Sequence, residues 1–280
     1  MTTTVDRIAE EAERSSTTLA SADPTAPVPT CPGWTALDLL AHVAEVHEFW
    51  GQLLATGART DEDAEAVEAA RVPMPEGEGA VEAILTRRRA ATGVLLEQLA
   101  ARDDAEPVST WFSADQSVGF VRRMQLHEAT MHRVDAELTA GEPLSPIDLA
   151  VAADGVAHVI EVMHAGAFDW IPEWAAVEPL ATLTLTPTDA GQPVEVEISR
   201  WSGTRPRDNE QFSALVARPR RADADAASLP HAAASLPHAA ASADAVALYL
   251  WLWGRGEPVE VTGDAAGVEH VEALVAQRID

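Results

Sequence analysis

The chain has 280 residues, 47% of them hydrophobic, and a formal net charge of −26. That length fits one large domain or two ordinary ones, and the charge argues against nucleic acid or an anionic membrane as partner, since phosphate binding needs clustered cations. The single cysteine, Cys31, excludes an intrachain disulfide and a cysteine-based zinc site. Every basic residue is Arg, which excludes Schiff-base chemistry and a phosphate-loop lysine.

The opening "MTTTVDRIAEEAERSS" is acidic and amphipathic, without the basic start and apolar run of a signal peptide. No apolar run reaches the ~20 residues a membrane span needs, so the expectation is a soluble, cytoplasmic protein. Residues 5–20 read as an amphipathic helix. The next stretch, "SADPTAPVPTCPGW", holds four prolines and cannot continue it. Thr35 is placed as an N-cap with Asp38 closing a capping box, and Trp34 and Leu39 are spaced as a hydrophobic staple. The helix they start runs to about residue 55, with Leu39, Val43, Val46, Trp50 and Leu53 in one stripe and Gly57 as terminator. Further long helices are expected over 78–101, 117–139 and 145–167, the last with Ser145 as cap and Pro146 in its first turn. Four long amphipathic helices predict a helix bundle.

Beyond about residue 175 the texture changes to alternation of apolar and polar residues. Strands are expected at 180–189 and 192–199, then at "FSALVARP" and "PVEVTGD". "ADAVALYLWLWGR" and "AAGVEHVEALVAQRI" read as helices. The fold class is therefore α+β, with a helical domain over 1–172 and a smaller α/β domain over 173–280. Between strand and helix, "ASLPHAA" occurs twice in tandem, at 227–233 and 234–240. Such a low-complexity duplication predicts a surface loop, with no function for His231 or His238.

The chemistry concentrates in "QLHEATMHRVDAE", residues 125–137. Phe120, Met124, His127, Met131, Val134 and Leu138 form the apolar stripe of that helix. Glu128 and His132 lie in the adjacent stripe with Val121, Gln125 and Asp135. Four residues turn a helix by ~400°, so Glu128 and His132 project from one side a turn apart. A helical Glu/His pair at this spacing is more often a solvated hydrogen bond than a metal site, and two ligands do not complete one. His42, beside the apolar stripe of the capped helix, is the best donor of a third. His47, ~140° further round, cannot easily share its ligand sphere. The zinc-protease pattern fails, because no two histidines here share a face at i,i+4. Two His and one carboxylate leave coordination positions open, as catalytic metals require.

"PTCPGWTALDLLAHVAEVHEFW", followed later by "RRMQLHEATMHRVDAELTAGEPLSP", resembles the mycothiol-dependent maleylpyruvate isomerase family. "LYLWLWGRGEPVEVTGDAAGVEHV" is similar to that family's smaller C-terminal domain. The resemblance implies a DinB-like four-helix bundle, a divalent metal, usually zinc, and mycothiol as thiol cofactor or co-substrate. It implies that His42, Glu128 and His132 hold the metal, with His127 outside the ligand set. It also implies a functional Arg in the C-terminal domain, which the "LWGR" segment places at Arg255, suited to a carboxylate on the thiol or the substrate.

Cys31, in a Pro-Gly turn, reads as a packed cysteine and not a nucleophile, so an external thiol is expected to act. A coordinated thiol is held as thiolate, and its attack on a small electrophile gives an isomerase if it leaves again or an S-transferase if it stays. A hydrolase using metal-activated water and a non-catalytic binding protein are the alternatives on the same scaffold. The expected partners are a small thiol and a small electrophilic substrate, with no nucleic acid and no membrane, in a monomer or small homo-oligomer.

Overall fold

The computed structural model describes residues 2–220, 236–277 and 279. By its contacts the chain divides into two units, Met1–Pro146 and Ile147–Asp280.

The first unit is helical: α1 Thr4–Ser21, α2 Ala36–Thr56, α3 Asp61–Ala69, α4 Ala80–Ala101 and α5 Val118–Ala140. The capping signals act as expected. Thr35 and Asp38 exchange side-chain and backbone hydrogen bonds ahead of α2, and Gly57 ends it in the left-handed region at φ 68°. Thr3 and Asp6 start α1 in the same way, and Gly141 closes α5 at φ 68°. α2 packs on α4 and α5, and α1 on α5 and α4, so the four long helices close around one core. Leu39, Leu40, Leu53, Leu95, Leu99 and Val134 are at most 1% exposed within it. Truncating such a leucine to alanine typically costs about 2–5 kcal/mol. One polar group ties the far helices together. Arg133 on α5, itself fully buried, donates to Glu11 of α1 at 2.7 Å, to Glu137 at 2.7 Å and to the Ser145 carbonyl at 3.0 Å.

The fourth place in the bundle belongs to α1 and not to the helix expected from Ser145. That helix, α6 Leu149–His158, falls in the second unit. Asp148 caps it by accepting from the backbone N–H groups of Ala150 and Val151. It continues as a π-helical stretch, Val159–His164, and a 3-10 turn, Ala167–Trp170. Its close neighbour is α7 Ala245–Leu252. A Cβ on Gly155 would lie 2.3 Å from the Tyr249 ring, so only glycine allows that approach. Leu149–Trp170 has the length and mean hydropathy, 1.2, of a membrane span, but 56% of it is buried inside the protein.

The sheet of the second unit has the order β3-β2-β1-β4-β5. Its strands are β1 Ala176–Pro187, β2 Val194–Thr204, β3 Gln211–Pro219, β4 His238–Ala243 and β5 Val261–Gly263. β1, β2 and β3 form an antiparallel meander, β4 runs parallel to β1, and β5 is antiparallel to β4. Ala181, Leu183, Leu185, Val196 and Ile198 are buried in it, and α8 Ala265–Ala276 packs against it.

The surface-loop expectation for the tandem repeat is corrected at its second copy. His238, Ala239 and Ala240 open β4, which is an interior strand of the sheet. An alanine strand is disfavoured by intrinsic propensity. The close approach of α8 to the start of this strand falls on a glycine: a Cβ on Gly267 would meet the His238 carbonyl carbon at 3.0 Å. The first copy, 227–233, and His231 lie outside the described residues.

Candidate metal centre

His42 sits in the second turn of α2, and Glu128 and His132 are a turn apart on α5. Packing of α2 on α5 brings the three together. His42 Nε2 lies 3.3 Å from Glu128 Oε1, and His132 Nε2 lies 3.0 Å from the same oxygen. One donor atom from each residue falls within 4.8 Å of the others. Tetrahedral ligands at about 2.0–2.2 Å from a zinc ion stand roughly 3.3 Å apart. Two of the three pairs already have that spacing. Among the described residues, no other group of three His, Cys, Asp or Glu converges in this way.

The electrostatics follow from what surrounds each group. His132 bridges two carboxylates, Glu128 at Nε2 and Asp135 Oδ2 at Nδ1, 2.9 Å away. Burial disfavours its charged form, but the charge of Glu128 and the hydrogen bonds His132 donates to both carboxylates outweigh it and raise the pKa to about 9. Burial likewise pushes the Glu128 carboxyl upward, and the adjacent His132 cation with the hydrogen bonds from His132 and His42 reverses this, holding it well below the usual carboxylate range. The metal-free protein thus carries a compact imidazolium–carboxylate pair where the ligands meet.

Asp135 joins this cluster although the pattern of the helix does not single it out. It is fully buried and accepts from Thr30 Oγ1 at 2.5 Å, with Cys31 Sγ 3.9 Å from its other oxygen. By holding Nδ1–H of His132 it fixes the tautomer that offers Nε2 to a metal, as carboxylates behind metal-binding histidines commonly do. Its position three residues after His132 is readable from the sequence. The partner loop is not: Thr30 and Cys31 are brought to it by the turn Val28–Trp34, which closes through Val28 N–H to the Trp34 carbonyl at 2.9 Å. On the other side, the rings of Trp34 and His132 flank His42 at 4.9 Å and 4.8 Å between centroids.

The remaining candidates take other places. His127 is fully buried and outside the trio, and Cys31 is buried beside Asp135. His47 is 2% exposed with Nδ1 2.8 Å from Thr92 Oγ1. Burial, followed by the charge of Arg88, lowers its pKa to about 3 and keeps it neutral. Arg255 belongs to the second unit, just after α7. Its NH1 donates to the carbonyls of Trp253 at 2.6 Å and Ile279 at 2.9 Å, and its guanidinium carbon lies 5.6 Å from the centre of the Trp253 ring.

Comparison with known proteins agrees with this architecture. Residues 5–137 match the model of the mycothiol maleylpyruvate isomerase N-terminal domain, and residues 150–270 match that of the corresponding C-terminal domain. No curated protein sequence matches the chain. Among solved structures, a mycothiol-dependent maleylpyruvate isomerase superposes with a TM-score of 0.55 at 15% identity, covering 92% of this chain and 91% of that one. A histidine-to-alanine mutant bearing the same name gives 0.54 at 13% identity, with the same coverage. These structures share the fold, and the two domain models together span most of the sequence: the chain belongs to the mycothiol-dependent maleylpyruvate isomerase family.

Proposed function

We propose that the protein is a metal-dependent enzyme that uses mycothiol to attack a small electrophile, as an isomerase of the maleylpyruvate type or as an S-transferase. The observation that carries this reading is the convergence of His42 Nε2, His132 Nε2 and Glu128 Oε1 on one point. Two imidazoles and one carboxylate suit a divalent ion such as zinc and leave positions open for another ligand. A divalent ion held there supplies Lewis acidity, which lowers the pKa of a thiol that reaches it.

The chain's own residues do the rest. Asp135 keeps the proton of neutral His132 on Nδ1, and Thr30 holds the Asp135 carboxylate in place by donating to it. Glu128 contributes the one negative charge of the ligand set. Trp34 packs beside His42 and limits its rotation. In this reading Arg255 binds a carboxylate of the thiol or the substrate. The Trp253 carbonyl and ring orient it. The external thiol is needed because the chain has no lysine and its one cysteine is buried against Asp135.

The experiment is calorimetric titration of mycothiol into metal-loaded and metal-stripped protein, with a parallel assay of maleylpyruvate isomerisation. The expected result is binding that requires the metal and weakens with Arg255→Ala, and turnover that requires the thiol. Isomerisation without thiol would overturn the thiol mechanism, and a hydrolysis product formed without thiol would favour a hydrolase. Metal binding with no thiol affinity would leave a non-catalytic protein.

A further inference from the structure

Between α2, α3 and α4 lies a cavity of 820 Å³ that none of His42, Glu128 and His132 lines. Its apolar wall comes from Phe49, Ala66, Val67, Ala70, Ala91 and Val94. The α2–α4 seam beneath is tight: a Cβ on Gly51 would meet the Leu95 backbone nitrogen at 3.3 Å. The space is therefore what α3 leaves unfilled above that seam. No residue of α3 is buried, and Val67, its one large apolar side chain, lines the cavity. A nine-residue helix of sequence DEDAEAVEA is marginal in water without tertiary support. It is held at its ends instead, by the capping box of Thr60 and Asp63 and by Arg71, which pairs with Glu68 at 2.6 Å and Glu45 at 2.9 Å.

The charges around the cavity are already committed. Arg87 grips Glu48 and donates to the carbonyls of Val72 at 2.7 Å and Pro73 at 2.9 Å. Asp63 accepts from the backbone of Arg59 and Thr60. His47, kept neutral by burial and held through Nδ1 by Thr92, Gln52 and Thr56, whose hydroxyl donates to the Gln52 carbonyl, are the uncharged polar residues of the lining. The volume lies within the roughly 300–1,000 Å³ usual for small-molecule sites.

We propose that this cavity is a second binding site, taking an uncharged, largely apolar ring compound with one or two hydrogen-bonding atoms, over which α3 closes. Burying Val67, Ala66 and Ala70 against such a ligand supplies the packing that α3 lacks. The site stands independently of the metal-centre chemistry.

The test titrates 1-naphthol, followed by its fluorescence, into metal-loaded full-length protein. One equivalent should bind, and Ala66→Trp and Ala91→Phe, which fill the cavity, should each weaken binding by about tenfold or more. His42→Ala should leave binding unchanged, and 1-naphthoate, the anionic analogue, should bind at least about tenfold more weakly for want of an unpaired cation. Ala66 is exposed on α3, so its replacement decides the matter even if Ala91→Phe does not fold. Binding that survives Ala66→Trp, that disappears with His42→Ala, or that is absent altogether would overturn the proposal. So would sedimentation showing a second chain covering Val67.

Discussion

Each unit of the molecule carries histidines, and among the described residues only the first unit gathers them with a carboxylate at one point. In the first, His42 and His132 approach a single oxygen of Glu128 from two helices. In the second, His158, Glu161 and His164 follow one another along α6 and its π-helical continuation. His158 is fully buried, and burial alone lowers the His164 pKa to about 4. His238 pairs through Nδ1 with Thr182 Oγ1 at 3.0 Å, across β4 and β1. The difference lies in a second helix: α2 delivers His42 to the oxygen at which Glu128 and His132, a turn apart on α5, already meet, whereas residues spaced along one helix alone gather no third group.

The largest expected effect separates the two units directly. His132→Ala and Glu128→Ala should each weaken metal binding by about 100-fold or more, since each removes one of three protein ligands. His164→Gln should leave metal content unchanged, and so should His127→Gln, one position from Glu128 but turned to the core stripe. Elemental analysis of the parent and the four purified variants decides it. Full occupancy in His132→Ala, or loss from a folded His127→Gln protein, would mean that the wrong face of α5 has been assigned.

A smaller effect is expected one bond further out. Asp135→Asn keeps the shape but removes the charge that fixes His132, and should weaken metal binding about 10–100-fold, as changes behind metal-binding histidines do. Competition against a chelator measures it. An unchanged affinity would show that Asp135 is only a partner for Thr30.

The pH dependence sharpens the same contrast. In the metal-free protein the His132 pKa is raised to about 9 from its ordinary value near 6.5. The stability it contributes is therefore complete below the ordinary value and lost as pH rises through about 9. A metal must displace that proton, so its affinity should rise about tenfold per pH unit up to about 9. His164, neutral above about 4, adds no such slope. Chelator competition at three pH values between about 6.5 and 8.5 tests this, and a flat profile would remove His132 from the ligand set.

What could be read in advance divides by physical cause. The Thr35–Asp38 box, the end at Gly57 and the pairing of Glu128 with His132 are local features, each set by residues within one turn. The place of α6 is not local. It depends on Gly155 meeting Tyr249, which no helical periodicity reveals. α3 shows no apolar stripe because it buries nothing. Asp135 looks like a solvated helix residue until the Thr30 loop covers it. β4 is hidden by its alanines, since its strand form is imposed by β1 and β5 on either side.

The smallest effect is expected where the repeat enters the sheet. β4 begins in the second "ASLPHAA" copy, with Ala239 and Ala241 at most 1% exposed against β1. Removing a copy would seem to remove the strand. The duplication is perfect, however, so deleting 227–233 or 234–240 produces the same sequence. The surviving copy still precedes "ASADAVALYL", and its His-Ala-Ala can take the register opposite Thr182, Leu183 and Thr184. What changes is the connection from β3 to β4, which becomes seven residues shorter. It must cross β2 and β1, about 14 Å at ~4.8 Å per strand, and the residues that remain between Arg220 and the strand span more than that when extended. Closing a shorter loop loses less entropy, by ~0.6 kcal/mol per halving. The deletion should therefore leave the melting temperature within about 2 °C of the parent or slightly above it. A large fall would show that the first copy is itself packed structure.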